Sequence, residues 1–253
     1  MSLVKSSLWN RLIAELLGTG LLVTVVVGSG IAAASLSPGD VGLQLLENST
    51  ATVFGLAVLI LIFGPVSGGH FNPVVSLADW LLGRRHGTGL SGLEVAGYSL
   101  AQIVGGVLGA LLANVMFALP VVEISTKDRA GTGHFVGEVV ATAGLVLLIF
   151  ALARSGRAGL SAAAVGGYIG AAYWFTSSTS FANPAVTIGR MFSDTFAGIA
   201  PSSAPSFITA QLVGGAVGLG LVLLFYPDAY RAADRVVVPH PTASTITSMS
   251  KGS

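Results

Sequence analysis

Apolar residues run along this chain in blocks of about twenty, broken by short polar stretches. The blocks near Leu12–Ala34, Gln44–Phe63, Leu93–Leu119, Phe135–Ala153, Ala158–Ser177 and Phe207–Tyr226 can each cross a bilayer core of about 30 Å as a helix. Six crossings are expected. Two further apolar pieces, Pro73–Leu82 and Pro184–Phe192, are only about ten residues long, which suits segments that enter the membrane and turn back. Each opens on Asn-Pro, Asn72-Pro73 and Asn183-Pro184, a helix cap followed by the residue best suited to the first helical position.

The two halves repeat. "YSLAQIVGGVLG" at 98–109 matches "FITAQLVGGAVG" at 207–218, the two Asn-Pro pairs match, and "AELLGTGLLV" at 14–23 resembles "GEVVATAGLV" at 137–146, all in the same order. Each half, about 8–119 and 134–227, holds three spans, so the second must enter the membrane from the opposite side. Inverted repeats of this kind put their site near the midplane, where the halves meet. The expected organisation is one transmembrane channel domain over 1–239 and a flexible, Ser/Thr-rich tail over 240–253.

Composition agrees with lipid: 53% of residues are hydrophobic and 9% charged, against roughly 25% charged in soluble domains. With no cysteine there is neither a disulfide framework nor a Cys-based metal site, and no spacing suggests a metal centre, a cofactor or a nucleophile triad. A net charge of +1 gives no nucleic-acid footprint. The start, with Lys5 and Arg11 before an apolar run, superficially resembles a signal peptide, but the run to Ala34 is longer than a signal core. With the N-terminus inside, Lys5, Arg11, Arg84, Arg85, Arg154, Arg157, Arg231, Arg235 and Lys251 lie on the cytoplasmic side and only Lys127, Arg129 and Arg190 outside, so both termini are expected in the cytoplasm.

Non-helical backbone cannot face lipid, so "GPVSGGHF" and "FTSSTSFA" must line a cavity or be buried in protein. If both fragments dip in from opposite faces, Asn72 and Asn183 cap two helix starts that meet mid-membrane. Two positive helix ends repel cations there. Asn amides then offer donors to the lumen, and carbonyls of Gly68, Gly69, His70 and Phe71 and of Ser180, Phe181 and Ala182 offer acceptors, replacing water around a small neutral solute in single file. Glu15 and Glu138, ionisable residues early in the first span of each half, are read as acceptors for the loop amides, with Gln102 and Gln211 beside them. His70 is read as a hydrogen-bonded loop histidine and Asp79 as a partner for Arg84 or Arg85; His86 and His134 lie near membrane edges without a motif. The glycines of "VGGVLG" and "VGGAVG" allow close helix packing.

"SGGHFNPVVS" and "SFANPAVTIG" resemble the paired Asn-Pro-Ala loops of the aquaporin, or major intrinsic protein, family, and the likeness runs from about Arg11 to Tyr226. The resemblance implies an all-α membrane fold of six tilted helices plus two half-helices, assembled as a homotetramer with one pore per subunit. Asn72, Pro73, Val74, Asn183, Pro184 and Ala185 would form the pore centre. Val74 replaces an alanine. The residue after the second motif, usually Arg in the family, is Val186.

Counting back from the Asn residues puts the other filter positions at Thr52, Ala171 and Ser180, with Val53 and Gly170 as one-residue alternatives. These small residues imply a wide filter, similar to divergent bacterial aquaglyceroporins associated with arsenic resistance. The expected function is passive passage of arsenite and related arsenic acids, glycerol, urea and water across a bacterial inner membrane. A water-selective channel and an inverted-repeat secondary transporter are the alternatives. Arg190, two turns beyond Asn183, is expected to snorkel toward the outer interface.

Overall fold

Side-chain oxygens of Ser7, Asp40 and Ser91 each accept an amide of the following helix's first turn and so set where three long helices begin. Ser91 does so in a reciprocal box with Glu94. The computed structural model describes residues 6–231 and Val237, and the described residues are helical with no strand. In chain order the helices are α1 (Leu8–Leu36), α2 (Val41–Ser67), α3 (Pro73–Gly83), α4 (Gly92–Met116), α5 (Thr132–Arg154), α6 (Ser161–Phe175), α7 (Pro184–Gly189) and α8 (Ala204–Phe225). Short 3₁₀ turns at Ala158–Leu160 and Arg190–Phe192 precede α6 and extend α7. The expected tail over 240–253 lies outside the described residues.

The fifth span differs from expectation. Its apolar run reads as one helix over Ala158–Ser177, but α6 has 15 residues, about 22 Å at 1.5 Å per residue, short of a bilayer core. The 3₁₀ turn adds length at one end, and at the other the extended Thr176 leads into a turn over 176–179. The five other long helices each reach crossing length by themselves.

In the first half α1 packs on α2 and α4; in the second α5 packs on α6 and α8; and α2 meets α6 across the middle. The half-helices α3 and α7 both lie between α4 and α8 and touch each other. Ser6 Oγ bonding Val66 O, the Arg11–Glu94 ion pair, Thr88 Oγ1 bonding Tyr230 O and Arg154 facing Asp228 gather one set of helix ends on a single face, called here the terminal face. On the opposite face the 117–131 loop pairs with the 3₁₀ turn after α7 through Ser125 N to Met191 O, and with the 193–203 loop through Ala200 N to Lys127 O. Asp79 Oδ2 accepts the Leu90 amide at 2.7 Å and so ties the 84–91 loop to α3.

Hydrophobic burial does not drive helices together in lipid; close packing must. A Cβ on Gly109 would overlap the Gly20 carbonyl, and one on Gly218 the Ala143 carbonyl, so α1 meets α4, and α5 meets α8, nearly backbone to backbone.

Candidate functional site

The loops before α3 and α7 hold reversed peptides: Phe71 (φ 48°), Ser180 (φ 48°) and Ala182 (φ 49°) all lie in the left-handed region, at a cost of roughly 1–2 kcal/mol each for non-glycine residues. Two buried carboxylates hold them there. Glu15 Oε1 accepts the His70 amide at 3.0 Å and the Ser67 hydroxyl at 2.6 Å, while Oε2 accepts the Phe71 amide and Gln102 Nε2, both at 2.7 Å. Glu138 repeats the pattern, with the Phe181 amide at 2.9 Å on Oε1 and the Ala182 amide at 2.8 Å and Gln211 Nε2 at 2.6 Å on Oε2. Gln102 and Gln211 also donate to Ser76 and Thr187, whose hydroxyls bond back to the carbonyls of Asn72 and Asn183. All four residues are 0% exposed.

Asn72 and Asn183 cap α3 and α7 with their side-chain oxygens, and Pro73 and Pro184 take the first helical positions. Each Asn amide then crosses to the other loop. Asn72 Nδ2 donates to Ala182 O and Asn183 Nδ2 to Phe71 O, each at 2.7 Å, so the two helix starts are tied tip to tip. One N–H of each amide is used in this tie, leaving one for the lumen.

Both Asn residues line one narrow cavity of about 60 Å³, room for on the order of four waters at about 15 Å³ each. Leu56, Ile60, Leu145, Ile149 and Val165 make an apolar wall on the terminal side, and Val237 also lines the cavity. Gly69, His70, Phe71, Ser180 and Phe181 bring the loop backbone to the lumen. Gly68 instead ends α2, its amide closing the last helical bond to Gly64 O and its φ of 96° turning the chain out of the helix, and neither it nor Ala182 lines the cavity. His70 Nδ1 lies 3.0 Å from Ser76 Oγ, in keeping with a hydrogen-bonded loop histidine.

One filter residue stands differently from the count along the chain. Thr52 lines the cavity, but Ala171 is exposed on the outside of α6; the inward residue is Tyr173, whose hydroxyl lies 3.3 Å from Thr52 Oγ1. The readable signal is the stripe Val165, Ile169 and Tyr173, three residues four apart that all face the lumen. Gly170 and Val53 pack on each other between α6 and α2. Ser180 and Val186 line the cavity; Val74 and Ala185 do not, fitting instead against Gly215 and Gly106. The extra methyls of Val74 therefore face α8 and not the pore centre.

The largest correction concerns Arg190. It does not snorkel: it is 2% exposed and lines the cavity, with its guanidinium carbon 3.4 Å from the Phe181 ring centroid. Arg129 lies over the same ring at 5.1 Å. Three cations bind three consecutive carbonyls of the 193–203 loop: Lys127 Nζ to Phe196 O, Arg190 Nε to Ala197 O and Arg129 Nε to Gly198 O. Burial, then Arg129 and Arg190, push the Lys127 ammonium down to about 8, as expected where like charges crowd.

A sequence profile of the major intrinsic protein family matches residues 2–180. The chain belongs to that family. Among its relatives, aquaglyceroporin AqpS of Rhizobium meliloti (strain 1021) is 48% identical over 215 residues, covering 85% of this chain and 89% of that one. The glycerol uptake facilitator protein of Streptococcus pneumoniae is 29% identical over 86% of this chain and 98% of its own. The X-ray structure of the aquaglyceroporin from Plasmodium falciparum superposes with a TM-score of 0.62 at 21% identity over 89% of this chain and all of that one, which establishes the shared fold. This major intrinsic protein is thus an integral membrane channel for small solutes and not an enzyme.

Proposed function

We propose that this channel passes small uncharged, oxygen-rich solutes of the glycerol class, with arsenite and related arsenic acids, urea and water as candidates, and that it works as a homotetramer with one pore per subunit. The observation that carries this reading is the pair of Asn amides, tied tip to tip yet both open to one narrow cavity. A molecule there must shed most of its water. It regains hydrogen bonds from Asn72, Asn183 and loop carbonyls along one wall, while the facing apolar wall suits a carbon or arsenic backbone. Ions lose far more on dehydration and meet two positive helix ends. The named glycerol and aquaglyceroporin relatives support the solute class. The terminal face, with Arg84, Arg85, Arg154, Arg157 and Arg231, is assigned to the cytoplasm of a bacterial inner membrane.

A second reading, a water-selective pore, gains support from Tyr173 and Arg190, which make the filter narrower than four small residues would. Light scattering from proteoliposomes given glycerol, arsenite, urea and osmotic water gradients in turn separates the two. Glycerol flux well above empty vesicles is expected; fast water flux with none of the three solutes supports the second reading. Val186→Arg, adding a long cation to the lumen wall, is expected to slow glycerol by about tenfold, a barrier change near 1.4 kcal/mol, while sparing water. Equal glycerol flux in both proteins contradicts the filter assignment.

A further inference from the structure

Arg190 stands where the channel needs an explanation. The family's usual filter cation follows the second Asn-Pro-Ala directly, and here that residue is Val186. Arg190 is four residues later, on the same face of the α7 turn and its 3₁₀ extension. A helical side chain leans back toward the N-terminus, over the turn before it. Four residues rise about 6 Å, within the reach of an extended arginine. From this later position the guanidinium can therefore lie over the space that a short Val186 leaves open, and both residues line the same cavity.

The state of its polar atoms points the same way. Arg190 Nε is held by Ala197 O, and its guanidinium plane is steadied on Phe181. Its two terminal nitrogens find no acceptor among the described residues, although the side chain is 2% exposed. The Ser180 hydroxyl, lining the same cavity, is likewise buried without a hydrogen-bond partner among them. A buried hydroxyl left open like that of Ser180 costs about 1–3 kcal/mol unless something else meets it, whereas the Arg190 terminal nitrogens are open to the cavity itself. Thr52 and Tyr173, by contrast, are already in contact with each other.

We propose that Arg190 is the fixed cation of this filter, supplied one turn late, and that its two spare nitrogens and the Ser180 hydroxyl bind the oxygens of a neutral polyhydroxylated solute while the charge turns cations away. Arg129 stands behind Phe181, outside the lining, and adds to the positive field without touching the solute. The competing reading is that Arg190 only straps the 193–203 loop through Ala197.

The assignment rests on the channel reading above, and the experiment keeps the two apart. The full chain is reconstituted in vesicles carrying a proton- or sodium-sensitive dye, and glycerol flux is followed on the same preparations. Arg190→Gln is expected to raise proton or sodium entry by about tenfold or more, as removal of a unit charge from a low-dielectric constriction should, and to need several-fold more glycerol for half-saturation because both spare nitrogens are lost. Val186→Arg combined with Arg190→Gln returns the cation to the neighbouring turn and is expected to restore exclusion. Arg190→Lys keeps a donor for Ala197 O but not the planar pair of spare nitrogens. It is expected to exclude cations yet to need several-fold more glycerol for half-saturation, and it carries the test if Arg190→Gln does not yield folded protein. A parent that passes no glycerol overturns the channel reading. A parent that conducts glycerol, with Arg190→Gln still as tight to cations or Arg190→Lys unchanged in glycerol saturation, overturns the Arg190 assignment alone.

Discussion

Glu138→Leu is expected to destabilise the protein by about 3 kcal/mol or more and to abolish solute flux, because it orphans three buried donors at about 1–3 kcal/mol each. Those donors are the Phe181 and Ala182 amides and Gln211 Nε2. Ala182 is itself left-handed, and its carbonyl receives Asn72, so releasing it also loosens the tie between the helix tips. Glu138→Gln keeps the shape and one accepting oxygen but turns an NH₂ toward a donor, and should lose about half as much. Thermal unfolding in detergent together with glycerol flux checks both. Glu138→Gln with normal stability and normal passive flux, but without uptake driven by a pH gradient, would instead favour a coupled transporter.

Gly109→Val should do comparable damage by a different route. Its Cβ would overlap the Gly20 carbonyl, a backbone atom of the facing helix with no rotamer to escape into. Separating α1 from α4 would strip packing from the interface that positions Glu15 and Gln102. Overpacking a tight site costs typically 1–3 kcal/mol, and more where backbone must move. Gly218→Val, against Ala143 O, should behave alike because it is the matching position in the second half. Gly220→Val is the control, since nothing lies within 4 Å of a Cβ there, and a change within about 0.5 kcal/mol is expected. The yield of monodisperse protein and its melting temperature decide the comparison.

The frame of the molecule was legible because membrane insertion leaves few options. Apolar length fixed five of the six crossings, the fifth in chain order being a shorter helix extended by turns, and duplication of Asn-Pro fixed the half-helices. Glu15 and Glu138 could be assigned to the loops because a buried carboxylate demands donors and the adjoining loops had spare amides. The filter was less legible. Which residues of a helix face the lumen depends on its rotation, and counting back from Asn183 assumes an unbroken connection, whereas the 176–182 segment makes a turn closed by Thr179 N on Thr176 O and carries reversed peptides at Thr179, Ser180 and Ala182. Ala171 was therefore two residues from the inward Tyr173. Arg190 departs from expectation because distance along the half-helix is not distance from the pore: its side chain leans back, and the Phe181 ring and Ala197 carbonyl hold it there. Val74 points to α8 because Gly215 makes room for it, a pairing that only tertiary packing reveals.

The chain has no cysteine, so a single introduced thiol can report whether solute passes through this cavity. Ser180→Cys, on the lining, and Ala171→Cys, on the exposed side of α6, are each reconstituted and treated with a small thiol-specific reagent, and glycerol flux is measured before and after. The expected result is block of Ser180→Cys and unchanged flux through Ala171→Cys. Full labelling of Ser180→Cys with undiminished glycerol flux would mean that solute takes another route, and the tip-to-tip Asn pair would not be the pore centre.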